Sequence, residues 1–200
     1  MLRIMCGCFV VVGTSLAFGQ DRVKDSTLHY EILMPEKWHI SQTDQGEMTI
    51  TSPKDDVLDV FLENVSVYPE AKALSLEEHH ENHIKDAYEN DVGYKGFKLL
   101  EHKLITINGK RAFVNRERFS DGSKLLDVYL VTMEGEYFFY QIVCASLSHS
   151  FDDFKEQFTE IYESFSIDER TLDQETVSLI SRKLGIPLNE IPKVPETTDN

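Results

Sequence analysis

The sequence predicts an α+β domain in which an antiparallel β-sheet, built from a meander plus N-terminal strands, is sandwiched by helices. Three observations lead there. Asn108-Gly109, Asp121-Gly122 and Glu134-Gly135 recur every thirteen residues, and the first two are the dipeptides that type I′ hairpin turns favour, because both central positions need positive φ. The stretch from Tyr137 to Ala145 is apolar on both of its alternating faces, as expected of a central strand covered on both sides. Phe151, Phe154, Phe158, Ile161, Tyr162 and Phe165 then form a helical apolar stripe, which reads as core packing.

In chain order, residues 28 to 34 alternate as a strand that Pro35 stops. Trp38 opens a second extended piece to Ser41, Asp44-Gln45-Gly46 reads as a turn, and 48 to 51 returns. Val57 to Tyr68 is a further β-rich stretch after a short Pro-containing break, with Val60, Leu62, Val65 and Val67 as candidates for burial. Asn64-Val65-Ser66 matches a glycosylation sequon inside this strand.

Ser75 followed three residues later by Glu78 has the spacing of a capping box, and predicts a helix to about Asn90 with Leu76, His80, Ile84, Ala87 and Tyr88 on its apolar stripe. The meander strands fall at 97–107, 110–119, 124–132 and 136–145, with Arg111, Arg116, Glu117 and Arg118 forming a polar surface on the second. A second helix starts at Ser150, again with an acid, Asp153, at the capping-box position. A third is expected over 171–184, stopped by Gly185 and Pro187.

Two hundred residues with 41% apolar content suit a domain with a real core. The organisation reads as a signal peptide over 1–19, an α/β/α domain over 20–168, and a C-terminal helix with a Pro-containing tail over 169–200. Arg3, an uncharged run from Ile4 to Phe18 and small residues at Ala17 and Gly19 are the layout of a secretory leader cleaved after Gly19. Its removal takes away Arg3 and no acid, moving the formal net charge from −15 to −16. So acidic a chain disfavours nucleic acid and anionic lipid surfaces, and leaves cations or basic proteins as partners. Cys144 alone outlasts the leader, which rules out an intramolecular disulfide. No transmembrane segment is expected in the mature chain, and the localisation read from the leader is extracytoplasmic.

The cluster Glu77-Glu78-His79-His80-Glu81-Asn82-His83 is the one that invites a chemical reading. His79 and His83 stand four apart on a helical face, a spacing that can hold two corners of a Zn²⁺ or Cu²⁺ site, with a third ligand to come from His29, His39, His102 or His149. Against this stands a solvated, charge-rich helical face with His80 at the core margin. No nucleophile elbow, activated cysteine or phosphate-cradling glycine loop is present, and Asp152 and Asp153 are explained by a helix N-terminus, so neither catalytic residues nor cofactor-binding residues are assigned.

Tyr30-Glu31-Ile32-Leu33-Met34-Pro35-Glu36-Lys37-Trp38, the acidic helix, the Asn-Gly meander and the aromatic strand leading into a Phe-rich helix resemble the PsbP-like family over residues 28 to 167. The resemblance implies an antiparallel sheet sandwiched by helices. For function it implies a non-enzymatic, secreted or periplasmic module that binds a protein partner or assists envelope assembly. Metal binding through the histidine pair is the alternative, and a hydrolytic cleft the third reading.

Overall fold

The computed structural model describes residues 21–25, 28–42, 48–54, 61–90, 93–169, 172–183 and 185–187. The expected leader, the turn at Asp44-Gln45-Gly46, Val57 to Val60 and the tail from residue 188 lie outside them. The elements run β1 (Arg22–Asp25), β2 (Tyr30–Leu33), β3 (His39–Gln42), β4 (Met48–Thr51), β5 (Asn64–Ala71), α1 (Leu76–Glu89), β6 (Lys95–Ile107), β7 (Lys110–Asp121), β8 (Lys124–Glu134), β9 (Phe138–Leu147), α2 (Phe151–Ser164), β10 (Ser166–Ile167) and α3 (Gln174–Lys183).

The main sheet has the order β3-β4-β5-β9-β8-β7-β6, and every neighbouring pair is antiparallel. β9, the aromatic strand, is its middle member. The meander follows the turn chemistry: Asn108 and Gly109 have φ of 48° and 81°, the left-handed pair a type I′ turn needs. Gly135 is required for room instead, since a Cβ there would lie 2.6 Å from the Phe138 carbonyl oxygen and 2.7 Å from Glu169 Oε1.

One face of this sheet carries the main core. Phe138, Tyr140, Ile142 and Cys144 of β9 meet Phe151, Phe158, Ile161 and Tyr162 of α2, and all eight are buried. A smaller sheet, β1-β2-β10, packs into the same core, with the Tyr30 ring centroid 5.1 Å from that of Phe165. Leu172, Val177 and Ile180 join it too, so α3 is packed onto the domain. The other face carries α1 and a small apolar cluster of Leu126, Val128 and Ala145.

The structure departs from the sequence reading in several places. Residues 22 to 25, ahead of the first strand the sequence predicts, form β1, which pairs with β2 although Val23 is its one buried side chain. β5 continues past Tyr68 to Ala71 through Pro69. A proline is tolerated because β4 pairs with β5 at residues 64 to 66, so at Pro69 no strand needs its N–H on that side. The capping box expected at Ser150 is absent: its Oγ instead pairs with Ser146 Oγ at 3.0 Å, fastening the start of α2 to the end of β9. The charges of β7 do not form one wet surface. Arg116 and Arg118 face α2, whereas Glu117 faces α1 and is 1% exposed.

Candidate functional site

α1 starts as its sequence predicts. Ser75 Oγ accepts from the Glu78 N–H at 3.3 Å, and Glu78 Oε2 accepts from the Ser75 N–H at 3.0 Å. The helix lies across strands whose residues beneath it include polar ones: Glu70 on β5, Gln141 on β9, Asn115 and Glu117 on β7. Leu76, His80 and Ala87 are buried in this contact.

His79 and His83, the candidate metal pair, also turn inward, with side chains 18% and 15% exposed. The expectation of a solvated face is thereby corrected, because the acids on the sheet draw the imidazoles in. His83 Nε2 is 2.8 Å from Glu117 Oε1, which also accepts from Asn115 Nδ2 at 3.0 Å. Burial lowers the His83 pKa, but the hydrogen bond and charge of Glu117, aided by Glu70 and Asp86, raise it by more, so the group titrates above its ordinary value.

His79 Nε2 lies 3.1 Å from Glu70 Oε2 yet makes no hydrogen bond, since the pair is close but poorly aligned. Glu70 Oε2 is bonded by Gln141 Nε2 at 2.9 Å, and the His79 ring leans on Phe139 with centroids 4.7 Å apart. His80 stacks on Phe113 at 4.0 Å with planes 5° apart, and burial first, then the neighbouring His102, His83 and His79, hold its pKa down.

Of the other histidines considered as a third ligand, His102 stacks 5.7 Å from His80, and His39 Nε2 bonds Thr51 Oγ1 at 2.9 Å. His29 sits between β1 and β2, and His149 follows β9. Among the described residues no three of His, Cys, Asp and Glu form a group able to hold a metal ion. The structure instead brings Glu70 and Glu117 to the pair; the sequence reading had Glu117 only on a polar surface of its strand and did not single out Glu70. Cys144 is fully buried, and its thiol is pushed far above the ordinary range by that burial.

The outer side of α1 is different in kind. Glu78, Glu81, Asp86 and Glu89 are exposed there with Lys85 as the single base among them, while Glu77, also exposed, is paired with Arg111 of β7. Leu74, just before the cap, is 42% exposed and Tyr88, in the last turn, 60%. Tyr88 is braced edge-on by Phe97 at 4.8 Å, and Phe97 in turn meets Tyr94. Among the described residues no helix is long and apolar enough to cross a membrane.

No family model and no curated protein matches the sequence. Solved structures do match. The solution structure of cyanobacterial PsbP (CyanoP) from Synechocystis superposes with a TM-score of 0.56 at 14% identity, covering 82% of this chain and 98% of that one. LpqN of Mycobacterium tuberculosis, described as involved in cell envelope biogenesis, superposes with a TM-score of 0.55 at 14% identity, covering 74% and 90%. Protein PA94 of Pseudomonas aeruginosa gives 0.52 at 12%, covering 70% and 91%. At such identities the likeness is one of fold, and it agrees with the element order and sheet described above: the chain has the PsbP-like fold.

Proposed function

We propose that the protein is a non-enzymatic extracytoplasmic module that binds a protein partner through the outer side of α1. The observation that carries this reading is Tyr88, a large aromatic side chain 60% exposed yet held in place by Phe97, beside a row of exposed acids. Rigid aromatic anchors flanked by charge are what binding hot spots are made of, and the acids select a basic surface and steer it in. The leader read from the sequence and the fold shared with an envelope-biogenesis protein support the location and the role. The test is a pull-down from envelope extract with the wild-type protein, Tyr88→Ala and Glu81→Lys. Salt-sensitive recovery of one basic partner, lost in both variants, is expected, whereas equal recovery by all three would overturn the assignment of the surface.

A second reading keeps His79 and His83 as ligands of Zn²⁺ or Cu²⁺. The buried His79 Nε2 without a hydrogen bond favours it, as a metal would satisfy that nitrogen and Glu70 or Glu117 could turn to supply oxygen. Calorimetric titration with either ion tests it: affinity unchanged in the His79→Ala, His83→Ala double variant excludes the pair.

A further inference from the structure

The last four carbonyls of a helix find no partner in the helical ladder itself, and at the end of α2 each is met in a different way. The Ile161 carbonyl accepts from Ser164 Oγ at 2.6 Å, and the Tyr162 carbonyl from the Phe165 N–H at 3.2 Å. The Ser164 carbonyl accepts from Arg22 at 3.3 Å. The Glu163 carbonyl accepts from Asn108 Nδ2 at 3.4 Å, and the same amide gives a shorter bond, 2.7 Å, to the carbonyl of Phe165 just past the helix. Both neighbours of Nδ2 are carbonyl oxygens, so only the N–H side of the amide fits there. The last turn of α2 holds no basic residue, and Asn108 and Arg22 are the donors from elsewhere in the chain that meet the negative end of its dipole.

Asn108 is followed by Gly109, and this is the one Asn-Gly pair in the chain. Both residues are exposed at the tip of the β6–β7 hairpin. In such a pair no side chain shields the glycine nitrogen from the neighbouring amide carbon. The Gly109 nitrogen bonds to Asn108 Cγ as its proton passes to Nδ2; the Cγ–Nδ2 bond breaks, ammonia leaves, and a succinimide remains. Water then opens the ring to aspartate or, at the other carbonyl, to isoaspartate. The end of α2 opposes this reaction, because Nδ2 departs only by giving up both carbonyls.

We propose that Asn108 is a deamidation site held shut by the end of α2, and that its reaction unlatches the hairpin from that helix. The product carries a carboxylate, which donates nothing to Glu163 or Phe165 and sets a negative charge against the negative end of α2. The same joint holds the small sheet: Arg22 of β1 reaches Ser164, the Leu33 N–H of β2 donates to Ser164 Oγ at 2.8 Å, and β10 follows Phe165 directly. The change is covalent, so it accumulates with the age of the molecule.

Peptide mapping by mass spectrometry tests this on the full chain, incubated folded and in urea at the same neutral pH and temperature, with circular dichroism confirming each state. Deamidation at Asn108 is expected in both, slower in the folded protein by about tenfold or more, since only the locally open fraction reacts. Ser164→Ala, which loosens the end of α2 without touching the Asn-Gly pair, is expected to react faster than wild type. Asn108→Asp is expected to melt below wild type, with the deficit shrinking below about pH 4 as the carboxyl takes up a proton. Equal rates in the folded and unfolded chains, or a Ser164→Ala rate equal to wild type, overturn the latch. No reaction in the folded chain over a period that converts the unfolded one overturns the site, and an Asn108→Asp protein that melts with wild type overturns the unlatching.

Discussion

Glu117 and Asp127 sit on the neighbouring strands β7 and β8 with their carboxyl groups on opposite faces of the sheet, each almost wholly buried, at 1% and 0% exposure. Each is answered by its own face. Asp127 takes hydrogen bonds from Arg116 and Arg118 on the α2 side, Arg118 Nε lying 2.5 Å away, and a further one from Ser148. Glu117 takes its bonds from His83 and Asn115 on the α1 side. The two faces are fastened by different chemistry, and they respond differently to pH and to mutation.

For Asp127, burial raises the pKa, but the bonds from Arg118, Ser148 and Arg116 lower it by more, so the folded value lies below the ordinary one. A depressed carboxylate contributes stability that is full above the unfolded pKa and is lost as pH falls through the folded one. Asp127→Asn is expected to cost about 3 to 5 kcal/mol at neutral pH, because two guanidinium groups lose their charge partner. Urea unfolding should show that difference shrinking below about pH 4. A difference that holds steady into the acid range would contradict the assignment.

For His83 the sign is reversed. Its raised pKa means that the contribution of the pair with Glu117 is full below the ordinary imidazole value of about 6.5 and is lost as pH rises through the folded value. Glu117→Gln keeps the shape and removes the charge, so an NMR titration of His83 in that variant should show its pKa falling relative to wild type. An unchanged titration would mean that Glu117 is not the group responsible.

On the core side, Phe158 is fully buried among Trp38, Phe151 and Phe154, with ring centroids 6.4, 5.7 and 6.1 Å away. Phe158→Ala removes the ring from the centre of this group and is expected to cost about 3 to 5 kcal/mol by chemical denaturation. A cost under about 1 kcal/mol, the range of surface positions, would show that the aromatic stripe of α2 is not the core.

How much of this was legible in the chain follows from how local each signal is. The meander could be read because its turns are written in adjacent residues, and α2 because an unbroken aromatic stripe has one interpretation. β1 was missed because four residues with a single inward valine carry no period. The inward turn of His79 and His83 was missed because a helix buries the face its partner surface suits, and the acids that receive them, Glu70 and Glu117, stand outside the helix in sequence. A trace was present all the same: Leu76, His80, His83 and Ala87 follow spacings of four, three and four, which places histidines within the apolar stripe itself.

The central claim is that the outer side of α1, anchored by Tyr88, is the surface that meets a partner. The most direct measurement is photocrosslinking in intact cells from a reactive residue placed at Glu81, compared with one placed at the exposed Glu160 on α2. The account predicts one defined adduct from position 81, abolished by Tyr88→Ala, and none of the same mass from position 160. Adducts equal from both positions, or arising from position 160 alone, would contradict it.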